Sequence, residues 1–127
     1  MSAVYTIKII TDFAAAHLLR GYEGECSRLH GHNWKVEVEV VARTLDTVGM
    51  GVDFKDIKAS TRQVIGSMDH QNLNDLPPFD QINPTAENIA AHIYKLLGEK
   101  LNDDRAQVSA VTIWETERAC VKYSEEI

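Results

Sequence analysis

Residues 30–42 alternate almost without a break. His30, His32, Trp34, Val36, Val38 and Val40 share one parity; Asn33, Lys35, Glu37 and Glu39 share the other. Successive side chains of an extended strand point to opposite faces, so this period of two specifies a strand with one apolar face and one wet face. A strand of this kind needs hydrogen-bonding neighbours for its backbone. One candidate lies upstream. Across 4–13, Tyr5, Ile7, Ile9 and Phe13 fall on one parity, with Thr6, Lys8 and Asp12 on the other. Residues 18–29 mix Gly and charge and read as the connecting loop. The two strands are expected to pair as an antiparallel hairpin.

The rest of the chain supplies what covers the apolar face. Residues 43–52 hold Asp46, Gly49 and Gly51 and read as a turn and short return. Asp53 is placed to cap a helix, with Asp56 in its electropositive first turn. Phe54, Ile57, Thr61, Val64, Ile65 and Met68 then recur at helical spacing. Residues 69–83 are polar and Pro-rich and read as loop. Asn83-Pro84-Thr85 opens a second helix, whose stripe is Ala86, Ile89, Ala90, Ile93, Leu96, Leu97 and Leu101. Val111 and Ile113 mark a strand over 107–115, and a last strand is expected near 119–124. The order β-β-α-α-β-β predicts an α+β fold, two helices on one face of an antiparallel sheet. A length of 127 residues suits a single domain, 1–127.

Composition removes several functional classes. The net charge of -6 argues against a nucleic-acid or acidic-membrane surface. No apolar run approaches the length of a membrane span, and the first residues lack the pattern of a secretory signal. Cys26 and Cys120 stand far apart in different contexts, which fits a reducing cytoplasm better than a disulfide.

The apolar face carries unusual residues. His30 and His32 are two apart, so both rings leave the strand on the side of Trp34 and Val36. His17 follows Phe13 and Ala15 in parity, and the hairpin would bring it to the other two. Three imidazoles without a fourth protein ligand describe a catalytic zinc site with an open position. Cys26 lies four residues before His30. Beside a divalent ion its thiol would be acidified and able to act as base or nucleophile. As a fourth ligand it would instead close a structural site. Asp69-His70 can form a proton-relay pair if the carboxylate fixes the imidazole tautomer. Glu115 extends the Val111–Ile113 face; buried there, it would need paired N–H donors such as an aminopyrimidinone edge. Cys120 has no nearby partner in sequence and reads as a packing residue.

The run Cys26-Ser27-Arg28-Leu29-His30-Gly31-His32 resembles the signature of the 6-pyruvoyl-tetrahydropterin synthase / 6-carboxytetrahydropterin synthase family. So do Phe13 to His17, Gly51-Val52-Asp53-Phe54, Asp69-His70, Leu73-Asn74-Asp75, Asn83-Pro84-Thr85-Ala86-Glu87 and Glu115, in family order. The resemblance implies a tunnelling fold (T-fold), whose subunits join their sheets into a barrel, usually a homohexamer of two trimers with sites between subunits. It implies zinc (Zn2+) on His17, His30 and His32, catalysis by Cys26 with Asp69 and His70, and a pterin ring held by Glu115 near Thr85 and Glu87. The implied substrate is 7,8-dihydroneopterin triphosphate. The three-residue gap between Cys26 and His30 looks like the carboxy branch. That branch releases acetaldehyde and triphosphate to give 6-carboxytetrahydropterin for queuosine and related 7-deazapurines. Arg28, Lys35 and Lys55 are candidates for the triphosphate. The alternatives are the pyruvoyl outcome, a non-catalytic zinc module closed by Cys26, and a metal-free pterin-binding protein.

Overall fold

The computed structural model describes residues 3–126. Its strands are β1 (Tyr5–His17), β2 (His30–Ala42), β3 (Gln71–Asn72), β4 (Ala106–Thr116) and β5 (Ala119–Tyr123). Its helices are α1 (Phe54–Gly66) and α2 (Ala86–Leu101). The strands form one sheet in the order β3-β1-β2-β4-β5. β1 and β2 pair antiparallel from Tyr5↔Ala42 to His17↔His30, the expected hairpin. β4 runs antiparallel to both β2 and β5.

Both helices begin where side chains satisfy otherwise unpaired backbone donors. Asp53 accepts from the Lys55 N–H, and Thr85 accepts from the Asn88 N–H. Ile57, Thr61, Val64 and Ile65 of α1 and Ile89, Ala90, Ile93 and Leu97 of α2 are buried. They cover the sheet face built from Ile9, Phe13, Trp34, Val36, Val38, Val40, Val111 and Ile113. Removing an apolar side chain of this size from water contributes about 1.5–3 kcal/mol, so this layer is the main source of stability.

The opposite sheet face is polar. Glu37 meets Lys8 at 3.5 Å and Lys35 at 3.8 Å and accepts from the Trp114 indole N–H at 3.1 Å. Lys35 Nζ also sits 4.5 Å from the centre of the Trp114 ring.

β1 runs through Ala14, Ala15 and Ala16 to His17, where parity placed it, although alanine has little strand preference. The pairing of Ala14 with Asn33 and of Ala16 with Gly31 carries the strand on. Gln71 and Asn72, expected as loop, pair in parallel with Ala15 and Ala16, so the sheet is mixed rather than wholly antiparallel. Two residues are too few to leave a periodic signal. α1 stops at Gly66, and Met68 is buried from the turn that follows.

Candidate metal centre and surrounding cleft

The hairpin register delivers the three histidines to one place. His17 stands opposite His30, and Ala15 opposite His32. Ring centroids are 4.6 Å apart for His17–His30, 5.1 Å for His17–His32 and 4.8 Å for His30–His32. Glu115 joins them from β4, where the β4–β5 register shifts between Trp114 and Thr116. A bulge of this kind re-aims a side chain at a strand end. The nearest ligand atoms of His17, His30, His32 and Glu115 all lie within 4.8 Å of one another. Among the described residues this is the one such cluster.

Hydrogen bonding fixes which ring atoms face inward. His17 Nδ1 lies 2.8 Å from the Pro84 carbonyl and His30 Nδ1 2.7 Å from the Arg28 carbonyl. A carbonyl can only accept, so each Nδ1 carries the proton, and in a neutral ring Nε2 then keeps the lone pair. Burial holds the His17 imidazole below its ordinary pKa, against the raising effect of the Pro84 carbonyl. Burial likewise lowers His32, outweighing the opposite pull of Glu115. Both rings are therefore neutral at pH 7.

The inward atoms are left unsatisfied. His17 Nε2 and His32 Nε2 are buried without a hydrogen-bond partner. Each lies 3.4 Å from the same oxygen of Glu115, Oε1. For His17 this sets a lone pair against a carboxylate oxygen, an arrangement that repels unless a cation lies between. The converging donors and the neutral rings of His17 and His32 fit a metal cation. Trp34 forms the floor: fully buried, it packs edge-on at 4.9 Å from His17 and 5.0 Å from His32. Its indole N–H donates to the Ala15 carbonyl at 3.3 Å.

The remaining residues named from sequence fall into separate groups. His70 Nδ1 is 3.0 Å from Asp69 Oδ1, the expected pairing. Asp69 also accepts from the Ala14 N–H, which is the main reason its carboxyl lies below the usual range. His70 adopts a left-handed backbone (φ 59°), and its N–H donates to the Ala14 carbonyl. That conformation costs a β-carbon-bearing residue on the order of 1–2 kcal/mol, here offset by its ties to β1. The His70 side chain is 82% exposed. It lines an open cleft of about 550 Å³ with His32, Asn33, Gln71 and Asn72. Cys26 is a free, half-buried thiol on a single 3-10 turn, Glu25–Ser27. It is not among the clustered ligand atoms.

Thr85 and Glu87 lie at the start of α2. They line a second cleft, of about 370 Å³, with His17, Glu115 and Cys120. Cys120, expected from sequence to be a packing residue, is exposed at this cleft. Its pairing with Trp114 across the β4–β5 hairpin brings it beside Glu115, and only that register could have revealed it. Of the cationic candidates, Lys35 sits on the opposite sheet face, held by Glu37 and Trp114.

Known proteins resemble the chain over nearly its whole length. A family model described as 6-pyruvoyl tetrahydropterin synthase matches residues 6–126. A 6-carboxy-5,6,7,8-tetrahydropterin synthase of Haemophilus influenzae is 31% identical, covering 90% of this chain and 94% of its own. A 6-pyruvoyl tetrahydrobiopterin synthase of Dictyostelium discoideum is 33% identical, covering 81% of this chain and 76% of its own. The solved 6-pyruvoyl tetrahydropterin synthase of Caenorhabditis elegans superposes with a TM-score of 0.87 at 25% identity, covering 98% of each chain. With its hairpin-borne histidine cluster and its two helices on one sheet face, the chain belongs to the 6-pyruvoyl tetrahydropterin synthase family of tunnelling-fold enzymes.

Proposed function

We propose that this chain is a zinc-dependent 6-carboxytetrahydropterin synthase, a carbon–carbon lyase acting on 7,8-dihydroneopterin triphosphate. The observation that carries the reading is the convergence of three imidazoles, two of which, His17 and His32, keep a buried Nε2 with no hydrogen-bond partner. The choice of branch rests on the three-residue spacing between Cys26 and His30 and on carboxy-branch relatives such as the Haemophilus protein. The Dictyostelium relative, similarly identical, supports elimination to the pyruvoyl product as the second reading.

His17, His30 and His32 would hold the zinc ion. Bound there, it would supply Lewis acidity to hydroxyl oxygens of the substrate side chain. Glu115 is partly open to the cleft; its carboxylate would accept the 2-amino and ring N–H protons of the pterin. Thr85 and Glu87 line the same cleft and would contact the ring or its side chain. Cys26, as thiolate, would take a proton from the side chain. His70 would move a second proton through Nε2, because Asp69 engages its Nδ1. The strong exposure of His70 suits service to a neighbouring subunit of a homohexamer. The non-catalytic alternative closed by Cys26 is disfavoured, because Cys26 lies outside the cluster.

No helix among the described residues is long and apolar enough to cross a membrane. We place the single domain in the cytoplasm, serving queuosine or related 7-deazapurine synthesis. The test is incubation of zinc-loaded protein with 7,8-dihydroneopterin triphosphate and identification of products by mass. The expected products are 6-carboxytetrahydropterin, acetaldehyde and triphosphate. A pyruvoyl product without acetaldehyde assigns the other branch; no conversion overturns the enzymatic reading.

A further inference from the structure

His17 is the last residue of β1, where a strand normally frays. Its pairing with β2 ends at His17↔His30, and β3 reaches only Ala15 and Ala16. The chain beyond His17 nevertheless keeps backbone hydrogen bonds as far as Arg20. Asn74 accepts from the Leu18 N–H at 2.9 Å and donates to the Leu18 carbonyl at 3.1 Å. Asn83 repeats the pattern on Arg20, accepting at 2.9 Å and donating at 2.8 Å. Each carboxamide thus copies the two-way exchange of a neighbouring strand, on alternate residues. Between them the Leu19 N–H donates to the Cys26 carbonyl at 2.8 Å. The Arg20 guanidinium donates to the carbonyls of Phe79 and Ile82.

The second clamp is continuous with the group that orients His17. The Asn83 carbonyl accepts from the Asn88 side chain at 2.8 Å. The next residue is Pro84, whose carbonyl receives the His17 Nδ1 proton. One side chain therefore ties the backbone after His17 to the backbone before α2, and so sets the distance between ring and acceptor.

We propose that Asn74 and Asn83 are positioning residues of the metal centre. Their carboxamides continue β1 past its last strand partner. They thereby hold His17 as a single Nδ1–H tautomer with its Nε2 lone pair aimed at the ion. The inference rests on the cluster being a metal site. It adds to that reading a cause for the asparagines of the Leu73-Asn74-Asp75 and Asn83-Pro84-Thr85 segments.

The experiment is Co2+ titration of metal-stripped protein, followed by the d–d absorption of the bound ion. The variants are Asn83→Ala, Asn74→Ala and Asn83→Asp, which keeps the acceptor for the Arg20 N–H. Ile89→Val, in the core of α2, serves as a control for general loosening. The two alanine variants should raise the Co2+ dissociation constant about 10- to 100-fold, the range for groups that orient a metal-bound histidine. Asn83→Asp should fall between Asn83→Ala and wild type, and Ile89→Val should match wild type. In metal-free protein, 15N NMR of His17 should show one tautomer in the wild type and a mixture in Asn83→Ala. Variants that bind Co2+ like the wild type overturn the proposal and leave the metal site standing. Equal weakening by Ile89→Val also overturns it. A wild-type protein that binds no Co2+ removes both the proposal and the metal reading beneath it. Should Asn83→Ala not fold, Asn74→Ala and Asn83→Asp carry the same comparison.

Discussion

Replacing His17 with leucine separates metal binding from packing. In metal-free protein His17 Nε2 is buried and unpaired, a state that costs about 1–3 kcal/mol. Leucine removes that atom, but it also strips the Pro84 carbonyl of its donor, a penalty of about the same 1–3 kcal/mol. The ring site is 1% exposed, so leucine fills it with comparable apolar bulk. The opposing effects should leave metal-free stability within about 1 kcal/mol of wild type. Zinc should then distinguish the two proteins. A ligand at 100 times its dissociation constant stabilises the native state by about 2.7 kcal/mol. At roughly 4 °C per kcal/mol for a chain of this length, wild type should gain about 11 °C in Tm. His17→Leu should gain almost nothing at the same zinc concentration. Thermal unfolding by circular dichroism, with chelator and then with zinc, measures all four values. A wild type that does not respond to zinc, or a His17→Leu variant that responds equally, refutes a metal role for His17. Loss of more than about 4 kcal/mol in the metal-free variant refutes it too, as the mark of a packing role alone.

Three further outcomes follow from the same geometry. Cys26→Ala should keep zinc, as assayed by atomic absorption, and lose turnover by at least about 100-fold, as expected for a lost proton-transfer group; loss of zinc would make the thiol a ligand. Glu115→Gln should also keep the metal while KM rises about 10-fold or more, because one carboxylate acceptor for two N–H donors is lost; steady-state kinetics reads it, and metal loss would assign Glu115 to the coordination shell. His92 is half-buried against Phe79, and burial, then Lys95, lowers its pKa. The unfolded chain therefore binds a proton at His92 before the folded chain does, so stability falls as pH drops below about 6.5. His92→Gln should flatten that slope between pH 7.5 and 5.5 in thermal melts; an unchanged slope would refute the assignment.

The sequence carried the parts of this site that depend on strand parity. His30 and His32 had to share the Trp34 face, and His17 had to meet them once the hairpin formed. Glu115 was legible in the same way, as a continuation of the Val111–Ile113 face. Its contact with His17 and His32, beside its expected place at the pterin, depends on which strand β4 pairs with. Long-range pairing has no local composition. The asparagine clamps were hidden for another reason: they join residues 56 and 63 apart, and nothing near Asn74 or Asn83 names Leu18 or Arg20 as partner. Cys120 was missed because a strand of mixed exposure gives no parity by which to orient its thiol.

Trp34 gives the centre a built-in optical gauge. Its indole lies 4.9 Å from the His17 ring and 5.0 Å from the His32 ring, sealed from solvent. An excited indole this close to a cobalt or copper ion loses its energy to the metal's d-electron states, whereas filled-shell zinc takes none. The chain's other indole, Trp114, lies across the sheet beneath the Lys35 ammonium. With Trp114 changed to Phe, emission would come from beneath the histidines alone, and filling of the centre could be followed in real time without an added dye.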